Sequence, residues 1–301
     1  MTVDELRNQI RDFLCITTYS SFTAYKVVKE EKCDGYTRFL INYKGSENDD
    51  IPAYLLIPEG DGIFPAVLVH HQHNSERHLG KSEVCGLAGN PLQAFGAVLA
   101  KKGYIVLAPD SICFEDRRKN ANVANPDGDG YFLQHYNEMC YRLLKGSSLM
   151  KKVIEDANIA IELLKAHERV DRRRIGALGH SYGGNTVIFQ TAMNEDISFA
   201  CASGAACTYK NKIENGTGIE MSEVIPGFIN KFDIPDLVKC ISPRPFLMVS
   251  STDDKYSKDA EYIEQGAGCN IEHYKYTGGH ALTRERFEDI FKWIDKTGKC
   301  M

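Results

Sequence analysis

The stretch DRRRIGALGHSYGGN, residues 171–185, constrains the fold more than any other part of the chain. The apolar run at 175–178 is short and bounded by charge and by glycine, as in a buried strand. The segment TVIFQTAM after it has the length and apolar content of a helix. Ser181 therefore falls at a strand-to-helix junction within a G-x-S-x-G pentapeptide, which predicts a serine nucleophile on a sharp turn. Side chains at Gly179 and Gly183 would collide with neighbouring backbone in such a turn, and only glycine avoids this.

The pentapeptide alone leaves an ordinary serine between glycines open, because short motifs recur by chance. A serine hydroxyl is a poor nucleophile near neutral pH and needs a base, which in turn needs an orienting acid. The apolar run PFLMVSS (245–251) leads into Asp253 and Asp254, and IEHYKYT (271–277) leads into His280. His280 alone could be a surface-loop histidine. Because the three residue types occur in the order Ser, Asp, His at strand ends, we predict a catalytic triad.

Hydrolysis through a serine also requires two backbone N–H donors for the developing oxyanion. We expect one from Tyr182, directly after the serine. The other is expected from Gln72, in the loop that follows the run FPAVLVH (64–70). His71 and His73 of this loop are predicted to shape the pocket and bind substrate. Four histidines of this region could instead bind a metal; they are His70, His71, His73 and His78.

Neither a metal nor an organic cofactor is predicted. The histidine-rich loop lacks an H-E-x-x-H motif and an obvious acidic ligand close by. The sequence also contains neither G-x-G-x-x-G nor G-x-x-x-x-G-K-[ST], which argues against a nucleotide-dependent enzyme. The acidic and basic residues at 115–118 could bind a polar substrate group or brace a loop by ion pairs, and we favour ion pairs.

The order of apolar runs predicts an α/β fold. YTRFLINYK (36–44) and IPAYLLIP (51–58) read as an antiparallel pair, and later near-continuous apolar runs alternate with helical segments such as 150–167 and 284–296. This pattern predicts a mostly parallel twisted sheet with helices on both faces and an antiparallel N-terminal edge. We interpret 1–301 as a single domain, with a helical extension at 1–35 and loop or lid segments at 111–150 and 205–241.

Composition excludes several function classes. A net charge of −5 without a basic stripe argues against nucleic acid as a partner. No apolar run approaches the ~18 residues of a membrane span, so no membrane partner is expected. The ten cysteines are spread over the chain without a C-x-x-C pair, and the N-terminus reads as an amphipathic helix instead of a signal peptide. We therefore expect a cytoplasmic protein with a small-molecule ester substrate, and a homo-oligomer is compatible with the sequence.

Several of these stretches together resemble the α/β-hydrolase superfamily. The residues are GHSYGG, STDDKYS and GGHAL, and the turn S-T-D-D matches a G-x-x-D form of that fold, which favours Asp254 over Asp253. HHQHNSERHLGKSE, APDSICFEDRR and IPGFINKFDIPDLVKCISPRPFLMVS further resemble enzymes similar to dienelactone hydrolases and acetyl xylan esterases. The resemblance covers roughly residues 50–297.

The resemblance implies hydrolysis of a small carboxylic ester through an acyl-enzyme. Ser181 would attack, His280 would act as base and then as acid, and Asp254 would orient it. Dienelactone hydrolases proper use a cysteine nucleophile, so Ser181 favours a simple esterase or deacetylase. An acylaminoacyl-type peptidase, a thioesterase and a non-catalytic ligand-binding homologue are the alternatives.

Overall fold

The computed structural model of the protein describes residues 1–17, 24–119 and 127–299. Its strands are β1 (Tyr25–Cys33), β2 (Tyr36–Lys44), β3 (Asp50–Pro58), β4 (Phe64–His70), β5 (Ile105–Pro109), β6 (Val170–His180), β7 (Phe199–Ser203), β8 (Phe246–Ser251) and β9 (Ile271–Tyr276). Its α-helices are α1 (Val3–Phe13), α2 (Lys81–Val84), α3 (Phe95–Lys101), α4 (Gly128–Leu144), α5 (Leu149–Ala166), α6 (Tyr182–Met193), α7 (Tyr209–Glu214), α8 (Ile234–Ile241), α9 (Ala260–Gly266) and α10 (Arg284–Lys299).

The nine strands form one sheet in the order β1-β2-β3-β5-β4-β6-β7-β8-β9. Strand β2 pairs antiparallel with β1 and with β3, and β3 also pairs antiparallel with β5. From β5 to β9 every pairing is parallel. The prediction of a mostly parallel sheet with an antiparallel N-terminal edge is therefore confirmed. Parallel strands present their carboxyl ends at one edge, where ligands of open α/β sheets bind.

Alternating side chains of the strands supply two hydrophobic clusters, one on each face of the sheet. In β4, Ala66 and Leu68 belong to the cluster that includes α1, α5, α6 and α8. Val67 and Val69, on the opposite face, belong to the cluster that includes α3 and α10. A strand buried on both faces reads as a continuous apolar run, which explains why FPAVLVH was recognisable in the sequence.

Two segments differ from the sequence interpretation. Within the described residues of the expected helical extension at 1–35, Val3–Phe13 is helical, whereas Tyr25–Cys33 is an edge strand paired with β2. The side chains of β1 are mostly charged and exposed, so the strand shows no alternation of apolar and polar residues. Charged side chains also keep an edge strand from pairing with another chain. The expected loop at 111–150 contains the 17-residue helix α4. Residues 18–23 and 120–126 of these segments, and Cys300, lie outside the described residues.

A buried ionic cluster holds the segment after β5 against α2. The ammonium of Lys81, which is 1% exposed, donates to Asp110 at 2.8 Å, to Glu115 at 2.6 Å and to Asp116 at 2.7 Å. The guanidinium of Arg117 pairs with the carboxylates of Asp49, just before β3, and Asp156 of α5. The ion-pair interpretation is thereby confirmed for Glu115, Asp116 and Arg117, whereas Arg118 donates through Nε to the backbone carbonyl of Glu115 at 2.7 Å.

Across residues 1–17, 24–119 and 127–299, no helix is both long enough and apolar enough to cross a lipid bilayer.

Candidate active site

The strand-to-helix turn is built around Ser181. Strand β6 ends at His180 and helix α6 begins at Tyr182, so Ser181 lies between them with φ 56° and ψ −121°. A positive φ is strained for any residue with a Cβ, and such strain is characteristic of functional turns. A Cβ on Gly179 would overlap the backbone of Gly183, and a Cβ on Gly183 would overlap the carbonyl of His70. The predicted steric reason for both glycines is therefore confirmed.

The structure brings Ser181, His280 and Asp254 into one hydrogen-bonded chain. His280 Nε2 lies 2.8 Å from the Ser181 hydroxyl, and His280 Nδ1 lies 3.0 Å from a carboxylate oxygen of Asp254. These residues follow β6, β9 and β8, whose carboxyl ends meet at one edge of the parallel part of the sheet. The imidazole can accept the serine proton at Nε2 while Nδ1–H faces the carboxylate, which is the arrangement a serine nucleophile requires.

Asp254 is held ionised in a buried position. Burial opposes its charge, but the hydrogen bond and charge of His280, together with hydrogen bonds from the Ser257 hydroxyl and the Tyr256 backbone, set its pKa below the usual value. The side chain of Asp254 is 1% exposed, whereas Asp253 is exposed and bonds through its backbone to Gly278. Of the two candidate acids, Asp254 is thus the one that contacts the histidine.

The first turn of α6 supplies backbone donors beside Ser181. The first N–H groups of a helix have no intrahelical acceptor. The N–H of Ser181 itself donates to the carbonyl of Ser203 at 2.8 Å, and the first helical bond runs from Asn185 to Ser181. The N–H of Tyr182, the predicted oxyanion donor, is therefore outside the helical hydrogen-bond ladder. The Tyr182 hydroxyl is fixed separately, 2.6 Å from that of Ser111.

The loop after β4 carries the other predicted site residues. Gln72 is buried, and its side-chain amide donates to both carboxylate oxygens of Glu83 at 3.1 Å. This contact fixes the loop, and the Gln72 backbone N–H as second oxyanion donor stays a prediction. Of the four histidines considered as alternative metal ligands, His70 pairs with Gln190 at 2.8 Å and His71 accepts the backbone N–H of Ser111 at 3.1 Å.

His71 is a positioning residue. The backbone N–H of Ser111 donates to His71 Nε2 at 3.1 Å, so the ring proton is on Nδ1 and is donated to the Gln72 carbonyl at 2.8 Å. Burial lowers the pKa of His71 to about 4, so the ring is neutral at pH 7. It ties the loops after β4 and β5 together, and it is not one of the residues that line the cavity at Ser181. The structure thus gives it a role different from the predicted substrate contact.

A cavity of roughly 310 Å³ opens at the Ser181 hydroxyl. Besides the serine and His280, its walls include His73 from the loop after β4, Tyr256 from the loop after β8, and Glu220 from the segment after α7. His73 therefore lies where the sequence predicted it. Glu220 was missed, because only the fold brings the segment between α7 and α8 back over the serine.

A second group missed in the sequence is His135 of α4, which is fully buried beside His73. One ring nitrogen of each histidine and a carboxylate oxygen of Glu220 all lie within 4.8 Å of one another. This spacing suits a metal, but the proton positions do not. The Ser75 backbone N–H donates to His73 Nδ1 at 3.2 Å, and Arg77 Nε–H donates to His135 Nδ1 at 3.1 Å. Both remaining Nε2 atoms of the neutral rings then carry the proton and lack the lone pair that a metal needs.

Comparison with known proteins is consistent with this geometry. Residues 25–220 match the family model described as acetyl xylan esterase (AXE1). The chain belongs to the acetyl xylan esterase family. It is a serine carboxylic ester hydrolase, and it has the α/β-hydrolase fold that the sequence resemblance implied.

Relatives of this esterase are found among curated proteins and solved structures. It is 27% identical to "Putative hydrolase YtaP" of Bacillus subtilis (strain 168) over 277 residues, which cover 85% of this chain and 87% of the relative. A structure from Bacteroides fragilis NCTC 9343, described as a putative acetyl xylan esterase, superimposes with a TM-score of 0.74 at 18% identity, covering 98% and 86% of the two chains. The acetyl xylan esterase from Paenibacillus sp. R4 gives 0.68 at 17% identity, covering 98% and 92%. These structures show that the fold is shared.

Proposed function

We propose that this esterase removes a short acyl group, acetyl in the first place, from an oxygen ester by way of an acyl-enzyme on Ser181. The observation that carries the proposal is the hydrogen-bonded chain from Asp254 through His280 to the Ser181 hydroxyl. The names of the structural relatives favour acetyl esters. The modest cavity at the serine is compatible with a small substrate.

In the first half of the reaction, the Ser181 oxygen attacks the carbonyl carbon of the ester and its proton passes to His280 Nε2. The carboxylate of Asp254 stabilises the imidazolium that forms. The carbonyl oxygen becomes an oxyanion, which accepts hydrogen bonds from the backbone N–H groups of Tyr182 and, by our proposal, Gln72. When the carbon–oxygen bond to the alcohol breaks, the alcohol leaves with the proton from His280.

In the second half, a water molecule takes the place of the alcohol. His280 accepts one proton of the water, and its oxygen attacks the acyl carbon bound to Ser181. Collapse of the second tetrahedral intermediate returns the proton to the serine oxygen and releases the carboxylic acid. One ester and one water thus give one alcohol and one acid, without a metal or a redox partner.

The test is hydrolysis of p-nitrophenyl acetate, butyrate and octanoate by the wild type, Ser181→Ala and Ser198→Ala. Ser198 lies at the amino end of β7, where its hydroxyl donates to the Ile175 carbonyl, and it serves as the matched control. We expect acetate to be the best substrate and Ser181→Ala to lose about 10³-fold or more in kcat, with the control unaffected. Equal activity in the wild type and Ser181→Ala would refute a nucleophilic role for the serine.

The proposed location and oligomeric state of the protein rest on its sequence. The cysteines distributed without paired spacing favour a cytoplasmic protein, and a homo-oligomer remains compatible with the composition. Fractionation of the native host and sedimentation of the purified chain would test these two predictions.

A further inference from the structure

The residue directly before the serine, His180, packs against the imidazole of His280. The centroids of the two rings are 4.9 Å apart and their planes are inclined by 32°. This distance lies within the range in which aromatic rings contact one another in offset stacks. His180 is buried at the end of β6, and it takes no part in the proton transfers of the proposed reaction. A ring that touches the base without exchanging a proton with it can act on the orientation and the charge of that base.

Two neighbours on β7 and just after it fix the contact between the rings. Ser203 is the cross-strand partner of His180, and its hydroxyl lies 3.0 Å from His180 Nδ1. Gly204 lies against the edges of both rings, because a Cβ there would be 3.0 Å from Cε1 of His180 and 3.0 Å from Cε1 of His280. Its φ of +62° also favours glycine. A residue without a Cβ at 204 therefore leaves room for the two rings to touch.

The ring of His180 is neutral where the base has to gain and lose its proton. Burial is the main cause that lowers the pKa of His180 to about 3, and the neighbouring His280 acts in the same direction. The face of a neutral aromatic ring attracts a cation within about 6 Å, whereas a second cation would repel it. A proton taken up by His280 therefore places its charge beside a ring that favours it.

The other groups around the two histidines come from three elements. The carboxylate of Asp254, after β8, lies 3.0 Å from His280 Nδ1, and the ring of Tyr256 in the same loop meets His280 edge-on at 4.9 Å between centroids. The charge of Arg286, in α10, further disfavours protonation of His180. A substitution at position 180 replaces none of these groups, so a changed pH dependence in such a variant can be assigned to the lost ring.

We propose that His180 is a positioning residue for the base, whose ring supports the ring of His280 and stabilises the imidazolium that forms when Ser181 gives up its proton. The proposal rests on the proposed function, in which His280 accepts that proton. It gives the residue between the first glycine and the serine of the G-x-S-x-G turn a part in catalysis that acts through the base.

Two substitutions separate the ring of His180 from its hydrogen bond. His180→Phe keeps an aromatic ring and loses the bond to Ser203, while Nε2 is buried and has no hydrogen-bond partner to lose among the described residues. His180→Gln keeps a polar group for Ser203 and removes the ring. His167→Gln is the matched control, because His167 ends α5 shortly before β6 begins, at the other end of that strand from His180.

The first readout is the pH dependence of kcat/KM for p-nitrophenyl acetate, whose acid limb reports the ionisation of the base in the free enzyme. Without the ring, the imidazolium should be harder to form. We therefore expect His180→Gln to move the midpoint of the acid limb down by about 0.5 to 1 pH unit and to lower kcat about tenfold. His180→Phe and His167→Gln should keep the wild-type midpoint. KM should change little, because His180 does not line the cavity at Ser181.

A second readout does not depend on turnover. The ring protons of His280, identified by their loss in His280→Gln, are titrated by NMR in the wild type and the variants at position 180. Their midpoint should move with the acid limb in His180→Gln and stay in place in His180→Phe. If His180→Gln does not fold, His180→Leu replaces it, because leucine fills a similar volume without an aromatic face.

Three outcomes would decide against a part of this reasoning. A midpoint common to the wild type, His180→Gln and His180→Phe would overturn the proposal even if kcat falls, because the role of His180 would then be structural. A midpoint that moves in His180→Phe but not in His180→Gln would overturn it as well, since the bond to Ser203 would be responsible. If wild type and Ser181→Ala are equally active, the proposed function is wrong, and the NMR titration still decides whether the ring stabilises the charge on His280.

Discussion

The buried imidazole of His70 should make folding stability depend on pH between 7 and 5. His70 ends β4, and its Nε2–H donates to the Gln190 side chain at 2.8 Å. Burial lowers the pKa of His70 to about 4, and the neighbouring His71 acts in the same direction. In the unfolded chain the same group has a pKa near ~6.5. Between these values the unfolded state binds a proton that the folded state does not, so stability is complete above pH 6.5 and falls as the pH falls.

The size of the effect follows from the two pKa values. Each pH unit over which one state binds one more proton changes the free energy of unfolding by ~1.4 kcal/mol. From pH 7 to pH 5 the unfolded state becomes almost fully protonated at this site while folded His70 stays neutral. The contribution of His70 should therefore fall by about 2 kcal/mol across this range.

The assay is urea unfolding of the wild type and His70→Phe at pH 7 and pH 5. Phenylalanine keeps a neutral ring but loses the bond to Gln190, so the variant should be less stable at pH 7, by about 1–3 kcal/mol. Because other titrating groups are common to both proteins, the difference between them should shrink by about 2 kcal/mol at pH 5. Between pH 7.5 and pH 8.5 it should not change. A difference that is the same at pH 7 and pH 5 would show that His70 is protonated in the folded protein.

Three other substitutions test the site and its support. Asp254→Asn should lower kcat for p-nitrophenyl acetate by ~10³ to 10⁴-fold, because the ring of His280 loses its orienting charge. The control Asp253→Asn should stay within about threefold of the wild type. Similar losses in both variants would contradict the choice of Asp254 as the acid. Gly183→Ala should lower the melting temperature through a clash worth ~2 kcal/mol or more, whereas Gly266→Ala, which meets no neighbouring atom, should not. Lys81→Met should cost ~3–5 kcal/mol in urea unfolding, because three carboxylates lose their shared cation, and a loss below ~1 kcal/mol would mean that they are solvated.

The parts of the fold predictable from the sequence are those fixed by local pattern. FPAVLVH was recognisable because a strand buried on both faces is apolar at every position. The turn at Ser181 was recognisable because its sterics admit only glycine at two flanking positions. In the sequence, the match of the turn S-T-D-D to a G-x-x-D form favoured Asp254 over Asp253. In the structure, Asp254 is the one of the two whose side chain contacts His280.

The parts that could not be predicted depend on distant contacts. Strand β1 lacks a periodic apolar pattern and is a strand because β2 offers it a partner. The first turn of α4 contains Gly128 and Gly130, which are poor helix formers, and the N–H of Gly130 donates to the Asp127 side chain, which caps the helix. His135 and Glu220 have no sequence signal, because the feature that distinguishes them is their approach to His73 from separate segments.

The order of the strands has a consequence for how such a protein can diversify. The proposed catalytic groups follow β6, β8 and β9, whereas two other residues of the cavity wall, His73 and Glu220, follow β4 and β7. Loops tolerate substitution and insertion better than the strands that carry them. The groups proposed to cleave the ester and part of the cavity wall thus lie in different loops. A lineage could reshape the cavity by altering residues near 73 and 220 while the groups proposed to cleave the ester were inherited intact.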